Sequence, residues 1–221
     1  TLFYTTLFRS DVYHISSNRS VRDYVKYRQW EIPTNPSLAD FVEGTGGILA
    51  GILTCTVMMR KALFDDIVDA DPYLHKSNHF LMGDTQLWAE ATTKAQLHYI
   101  PESLATHNIT EESATRSKDI TKKLRFLISA ATLLLYLCDK YNFPSRIRRK
   151  HELNWCTYSL ELALHTGNSR LADEVRLRKN DFTWREWLRY YGAKRPAIYR
   201  LYRIATQVRR LFGEEQRKQW T

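Results

Sequence analysis

"SKDITKKLRFLISAATLLLYLCDKYNFP", residues 117 to 144, is the stretch in which the hydrophobic period of this chain changes. Ile120, Leu124, Leu127, Ile128, Ala131, Leu134, Leu135 and Cys138 recur at i, i+3, i+4 spacing, the stripe of an amphipathic helix. The spacing predicts one long helix that stops near Asn142 and Pro144, because proline restricts the residue before it and cannot continue the ladder. Its most apolar part, "FLISAATLLLYLC" at residues 126 to 138, is shorter than the roughly 20 residues needed to cross a bilayer. It reads as a buried helix.

Downstream the helical period persists. A second helix is expected over "HELNWCTYSLELALHTG", residues 151 to 167, closed by Gly167, and a third over "SRLADEVRLRKN", residues 169 to 180. A fourth begins in "DFTWREWLRYYG", residues 181 to 192, with Asp181 as its cap. A fifth follows Pro196 and puts Ile198, Leu201, Tyr202, Ala205, Val208 and Phe212 on one side, with Arg200, Arg203 and Arg210 on the other. No fixed repeat period links these helices.

Upstream the pattern is mixed. "DVYHI" and "SVRDYV", on either side of "SSN", predict a hairpin spanning residues 11 to 25. "ILTCTVMM", residues 52 to 59, reads as a buried strand, and "QLHYI" and "LATHNIT" read as a strand pair around "PES" at 101 to 103. "KALFDDIVDA" and "DTQLWAEATTKA" carry the helical period. The expected fold is therefore an α/β portion over residues 11 to 116 followed by an all-helical region over 117 to 221, helix-dominated overall.

A 221-residue chain with 43% hydrophobic residues can bury a core. Residues 1 to 115 hold nine Lys and Arg against 14 Asp and Glu, whereas residues 116 to 221 hold 24 against 10. The basic half suits an anionic partner, whether nucleic acid, an anionic membrane face or a phosphorylated substrate; a solvated helical surface has the same composition. Cys55, Cys138 and Cys156 are too few and too scattered for a disulfide framework or a zinc site. "TLFYTTLFRS" at the start lacks the basic beginning, sustained apolar run and cleavage site of an export signal. A cytoplasmic location is expected.

Several apparent motifs carry little. "EGTGGILAG", residues 43 to 51, lacks the third glycine of a dinucleotide fingerprint and reads as a loop. His75 and His79 are four apart, but "DPYLHKSNH" reads as a loop with two surface histidines rather than a metal site. "DAD" at residues 69 to 71 reads as a helix end, and nothing marks a nucleophile elbow.

Asp84, in "FLMGDTQLWAEAT", has two readings. As an N-cap it would accept a backbone N–H from the first turn of the following helix, a role worth roughly 1 kcal/mol. As a carboxylate at a helix start that follows an apolar segment, it would sit where sheet ends form crevices and could serve as a general base.

The order "ILTCTVMMRKAL", then "FLMGDTQLWAEAT", then "LHYIPESLATHNITEESATRSKDITKKLRFLISA" resembles the second half of bacterial family-2 glycosyltransferases, whose fold is GT-A. The resemblance covers residues 11 to 143, and its most specific piece is "GDTQLW" followed some twenty residues later by "EESATRS". It implies a truncated, Rossmann-like GT-A remnant in which Asp84 is the base that deprotonates the acceptor hydroxyl, with Thr85 and Trp88 lining the acceptor side. It implies a parent enzyme using a nucleotide-sugar donor and a divalent metal, Mg or Mn, to glycosylate a glycan or lipid-linked acceptor. Relatives place the nucleotide-binding strands and an Asp-x-Asp metal motif before the region equivalent to "DVYHISSNRSVRDYV", and often a tyrosine-arginine pair where this chain has His107 and Asn108.

From this follow further expectations. No cofactor-binding or metal residues are assigned to this chain, and alone it is expected to be inactive. Residues 1 to 10 resemble a translated sequencing adapter and are expected to be a non-biological leader. The helix expected over 196 to 212 would meet an anionic membrane surface, placing the enzyme at the inner face of the membrane, and no nucleic acid is expected. The alternatives are a basic helical nucleic-acid-binding module, with Tyr190, Tyr191, Tyr199 and Tyr202 stacking on bases or filling helix seams, and a scaffold for a protein partner.

Overall fold

A computed structural model describes residues 6–15, 21–23, 37–43, 52, 54–108, 118–195 and 197. Helices dominate them. The chain divides into two compact units, residues 1–118 with 129–151 and residues 119–128 with 152–221.

In the first unit, β1 (Thr6–Ile15) lies at the middle of a four-stranded sheet. It pairs antiparallel with β2 (Val21–Asp23), with Tyr13 opposite Asp23, and this is the hairpin expected around "SSN". Its other half pairs antiparallel with β3 (Val57–Met59), and along its length it pairs parallel with β4 (Gln96–Asn108). β1 thus runs through residue 10, where the leader is expected to end.

Two strand expectations need correction. "PES" does not turn the chain: Ser10 faces Ile100 but Asp11 faces Ser103, so Pro101 and Glu102 bulge out of one continuous strand. Proline has no N–H for the ladder, and a bulge accommodates it without ending the strand. "ILTCTVMM" is not a buried strand. Thr54–Thr56 form a 3-10 turn, β3 keeps three residues, and Met58 is 72% exposed on a strand that, among the described residues, pairs only with β1.

The helices of this unit are α1 (Leu38–Glu43), α2 (Lys61–Ala70), α3 (Pro72–Lys76), α4 (Thr85–Lys94) and the C-terminal part of α5 (Ile120–Lys140). Helix α1 was not expected from the period. Ser37 starts it by reciprocal bonding: its Oγ accepts the Asp40 N–H while Asp40 accepts the Ser37 N–H. Phe41, Val42, Leu63, Ile67, Leu74, Trp88, Ala89, Leu133, Leu137 and Ile147 form the core. Helix α5 stops as its sequence predicts, with Asn142 at φ 52° in the left-handed region.

Helix α6 (Ser145–Thr166) begins at Ser145 rather than His151. "RIRRK" is helical because straight-chain side chains lose little freedom in a helix, with Ile147 as its buried anchor. Gly167 ends it at φ 66°, where a Cβ would be strained.

In the second unit, α7 (Ser169–Arg178) is capped by Asn168, whose Oδ1 accepts the Leu171 N–H at 3.1 Å. α8 (Trp184–Lys194) is capped by Thr183, not Asp181. Thr183 and Glu186 form a capping box, which satisfies two groups at the helix start where Asp181 would satisfy one. Leu160, Ala163, Leu164, Ala172, Val175 and Ala193 are buried here, and the Arg178 guanidinium lies over the Trp155 ring at 4.0 Å. The fifth helix expected after Pro196, including the stripe from 198 to 212, lies outside the described residues.

Candidate functional site

Asp84 is exposed and stands at the N-cap position of α4, but its side chain makes no capping bond. The reason is its backbone. At φ −96° and ψ −36° the residue is already helical, and the extended geometry that lets an N-cap side chain fold back onto the first turn is lost. Only its carbonyl joins the helix, accepting the Trp88 N–H at 3.0 Å. The carboxylate turns instead to the turn before β3, where Oδ2 accepts the Thr54 hydroxyl at 2.8 Å. Oδ1 has a long contact of 3.4 Å from the Thr85 hydroxyl.

The other two residues assigned to the acceptor side are not at the surface with it. Thr85 is 6% exposed and Trp88 4%, and Trp88 belongs to the core. Trp88 Nε1 and Gln86 Oε1 are enclosed without hydrogen-bond partners.

A second constellation, which the sequence reading missed, lies in the same unit. Lys140 Nζ donates to Asp71 Oδ2 at 2.7 Å and Glu90 Oε1 at 2.9 Å, joining α5 to the start of α3 and to α4. Tyr136 donates to Asp71 at 2.7 Å and Tyr141 to Glu90 at 2.8 Å. Burial alone would lower the Lys140 ammonium, but its bonds to the two carboxylates outweigh this and hold its pKa well above the usual lysine value. Burial likewise works against ionised Asp71, yet donation from Lys140, Tyr136 and the Leu74 amide keeps its carboxyl below the ordinary range. Tyr136, half-buried and donating to Asp71, is pushed up to about 12 by that desolvation and by its bond to the carboxylate. The "DAD" stretch is therefore more than a helix end: Asp71 caps α3, accepting Leu74 N–H at 3.0 Å, and anchors this ion pair. Its sequence signal was "DP", an Asx cap with proline at N1.

The histidine pair also needs correction. His75 lies within α3, and its Nε2 is enclosed without a partner; burial lowers its pKa. His79 is exposed, with its ring 5.3 Å from that of Tyr73. Among the described residues no group of three or more His, Cys, Asp or Glu is arranged to hold a metal ion, and no helix is long and apolar enough to cross a membrane. Tyr190 donates to Asp173 at 2.7 Å and so belongs to the α7–α8 seam. Tyr199 and Tyr202, and residues 44–51 of "EGTGGILAG", lie outside the described residues.

Comparisons with protein-family models, curated proteins and solved structures found no match to this chain.

Proposed function

We propose that the chain is the acceptor-side part of a family-2 glycosyltransferase, its strands and first helices being a Rossmann-like GT-A remnant and Asp84 its general base. In the parent reaction the acceptor hydroxyl gives its proton to Asp84. Its oxygen attacks the anomeric carbon as the bond to the nucleoside diphosphate breaks, and configuration inverts. The acceptor is a glycan or lipid-linked sugar, met at the inner face of the membrane. A nucleotide sugar and a Mg or Mn ion belong to the parent enzyme; the described residues present no donor set that fits the ion.

The observation that supports this reading is the state of the Asp84 carboxylate. It faces solvent, it makes no capping bond to its own helix, and Thr54 holds one oxygen while the other keeps only a long contact from Thr85. A base must be oriented and accessible, and such a group contributes roughly 10² to 10⁴ in rate. Thr85 and Trp88 enter this reading as packing that fixes the first turn of α4.

The test is Asp84→Asn in an enzyme that joins this region to the nucleotide-binding half. Turnover should drop by roughly 10² or more with donor affinity nearly unchanged, because the amide keeps the size and loses the basicity. A near-native rate would remove Asp84 from the chemistry.

A further inference from the structure

Trp184 is 69% exposed and Tyr191 47%, on a helix that buries Gly192 and Ala193. Trp184, Leu188, Tyr191 and Arg195 are spaced i, i+4, i+7 and i+11, so they share one face of α8. Leu177, on α7, is 83% exposed. Trp184 and Tyr191 thus leave an exposed aromatic face on α8, without a covering element among the described residues.

Basic side chains outnumber acidic ones over residues 169–195. Arg178, Lys179, Arg189 and Lys194 are each paired, with Glu174, Glu186, Glu161 and Asp173 respectively. Arg170, Arg185 and Arg195 have no carboxylate partner among the described residues, and Arg176 is held by the Lys179 carbonyl and Asn180 rather than by an acid. On α8, Arg185 and Arg195 therefore accompany exposed Trp184 and Tyr191 without a carboxylate partner among the described residues.

We propose that this face of α8 docks on an anionic lipid bilayer. Trp and Tyr, with apolar rings and polar tips, concentrate at headgroup level, and neighbouring arginines meet lipid phosphates. Base stacking suits the same surface less well. The Arg185 guanidinium lies 5.2 Å from the centre of the Trp184 ring, and Trp187 and Tyr191 are stacked on each other at 5.5 Å, so these ring faces already have neighbours. The sequence that follows α8, with Ile198, Leu201, Tyr202, Arg200 and Arg203, continues the same chemistry. The proposal is independent of the transferase reading.

Flotation of the full chain with phosphatidylcholine vesicles, with and without phosphatidylglycerol, tests it. The chain should float with the anionic vesicles and not with the neutral ones. Trp184→Ser with Tyr191→Ser should weaken that association by roughly tenfold or more, and so should Arg185→Gln with Arg195→Gln, which leaves the aromatic surface intact. Circular dichroism should show both variants folded, since all four side chains are exposed or at the helix end; a variant that did not fold would leave the other pair to decide. No flotation, equal flotation with neutral vesicles, or undiminished flotation of the folded variants would overturn the proposal. A dimer that the aromatic variant dissociates would assign the surface to a second copy, and single-stranded oligonucleotide binding lost with the aromatic pair would assign it to nucleic acid; either result also overturns it.

Discussion

Lys140 reaches Glu90 across fifty residues of chain, with Nζ 2.9 Å from Oε1. Glu90 is 2% exposed, a carboxylate that would be costly to enclose without that ammonium and the Tyr141 hydroxyl. The pair fixes α4 against α5, and α4 is the helix that Asp84 begins.

Lys140→Met should therefore cost about 3 kcal/mol, the low end for breaking a buried pair, because 27% of the Lys140 side chain remains in water. Adding Glu90→Leu should recover part of that loss by removing the stranded charge. Denaturant titration of the single and double variants measures both. A double variant less stable than Lys140→Met would mean that Glu90 is stabilised without Lys140.

The folded state should weaken in mild acid. His75 Nε2 and His151 Nδ1 are enclosed without partners, and His151 Nε2 donates to the Val42 carbonyl, 2.6 Å away. Burial depresses both pKa values, so the rings stay neutral in the folded state. Below about pH 6.5 the unfolded chain takes up protons that the folded one refuses, and stability falls as pH drops through that value. Unfolding free energies at about pH 7.5 and about pH 5.5 check the sign, and His75→Gln should flatten the slope. A flat wild-type profile would mean the rings titrate normally.

What could be read in the sequence follows from where each signal resides. Helices α2, α4, α5 and α7 were legible because their stripes are local and uninterrupted, and Asn142 and Gly167 marked the ends of α5 and α6 through backbone conformation alone. Pro101 misled because a breaker within a strand can be absorbed by a bulge, which depends on the partner β1. Thr54 and Asp84 lie thirty residues apart, and Lys140 lies further still from Asp71; no spacing rule connects residues that only the fold brings together. Asp84 was singled out by its place at a helix start, but its Thr54 partner and the buried state of Thr85 and Trp88 were not visible in the pattern.

Trp88 offers a direct separation of packing from ligand contact. Trp88→Ala should cost about 3 to 5 kcal/mol as an unfilled core position, whereas Trp88→Phe should cost much less, because it also deletes an N–H that the fold leaves unpaired. Thermal melts rank the two. If Trp88→Phe were as damaging as Trp88→Ala, the indole N–H would have a partner that packing does not provide.

Asp84 and Thr183 occupy the same position on their respective helices and should respond differently to removal. Thr183 is extended at φ −67° and ψ 162°, its Oγ accepts the Glu186 N–H, and Glu186 returns the bond to the Thr183 N–H. Thr183→Ala should lower stability by about 1 kcal/mol. Asp84 is helical, bonds only to hydroxyls and is exposed, so Asp84→Ala should change stability by less than about 0.5 kcal/mol. Denaturant midpoints at constant m-value measure both in the full chain. Equal losses would mean that the Asp84 side chain does hold the first turn of α4, and the freedom of its carboxylate, on which its assignment as a base depends, would be gone.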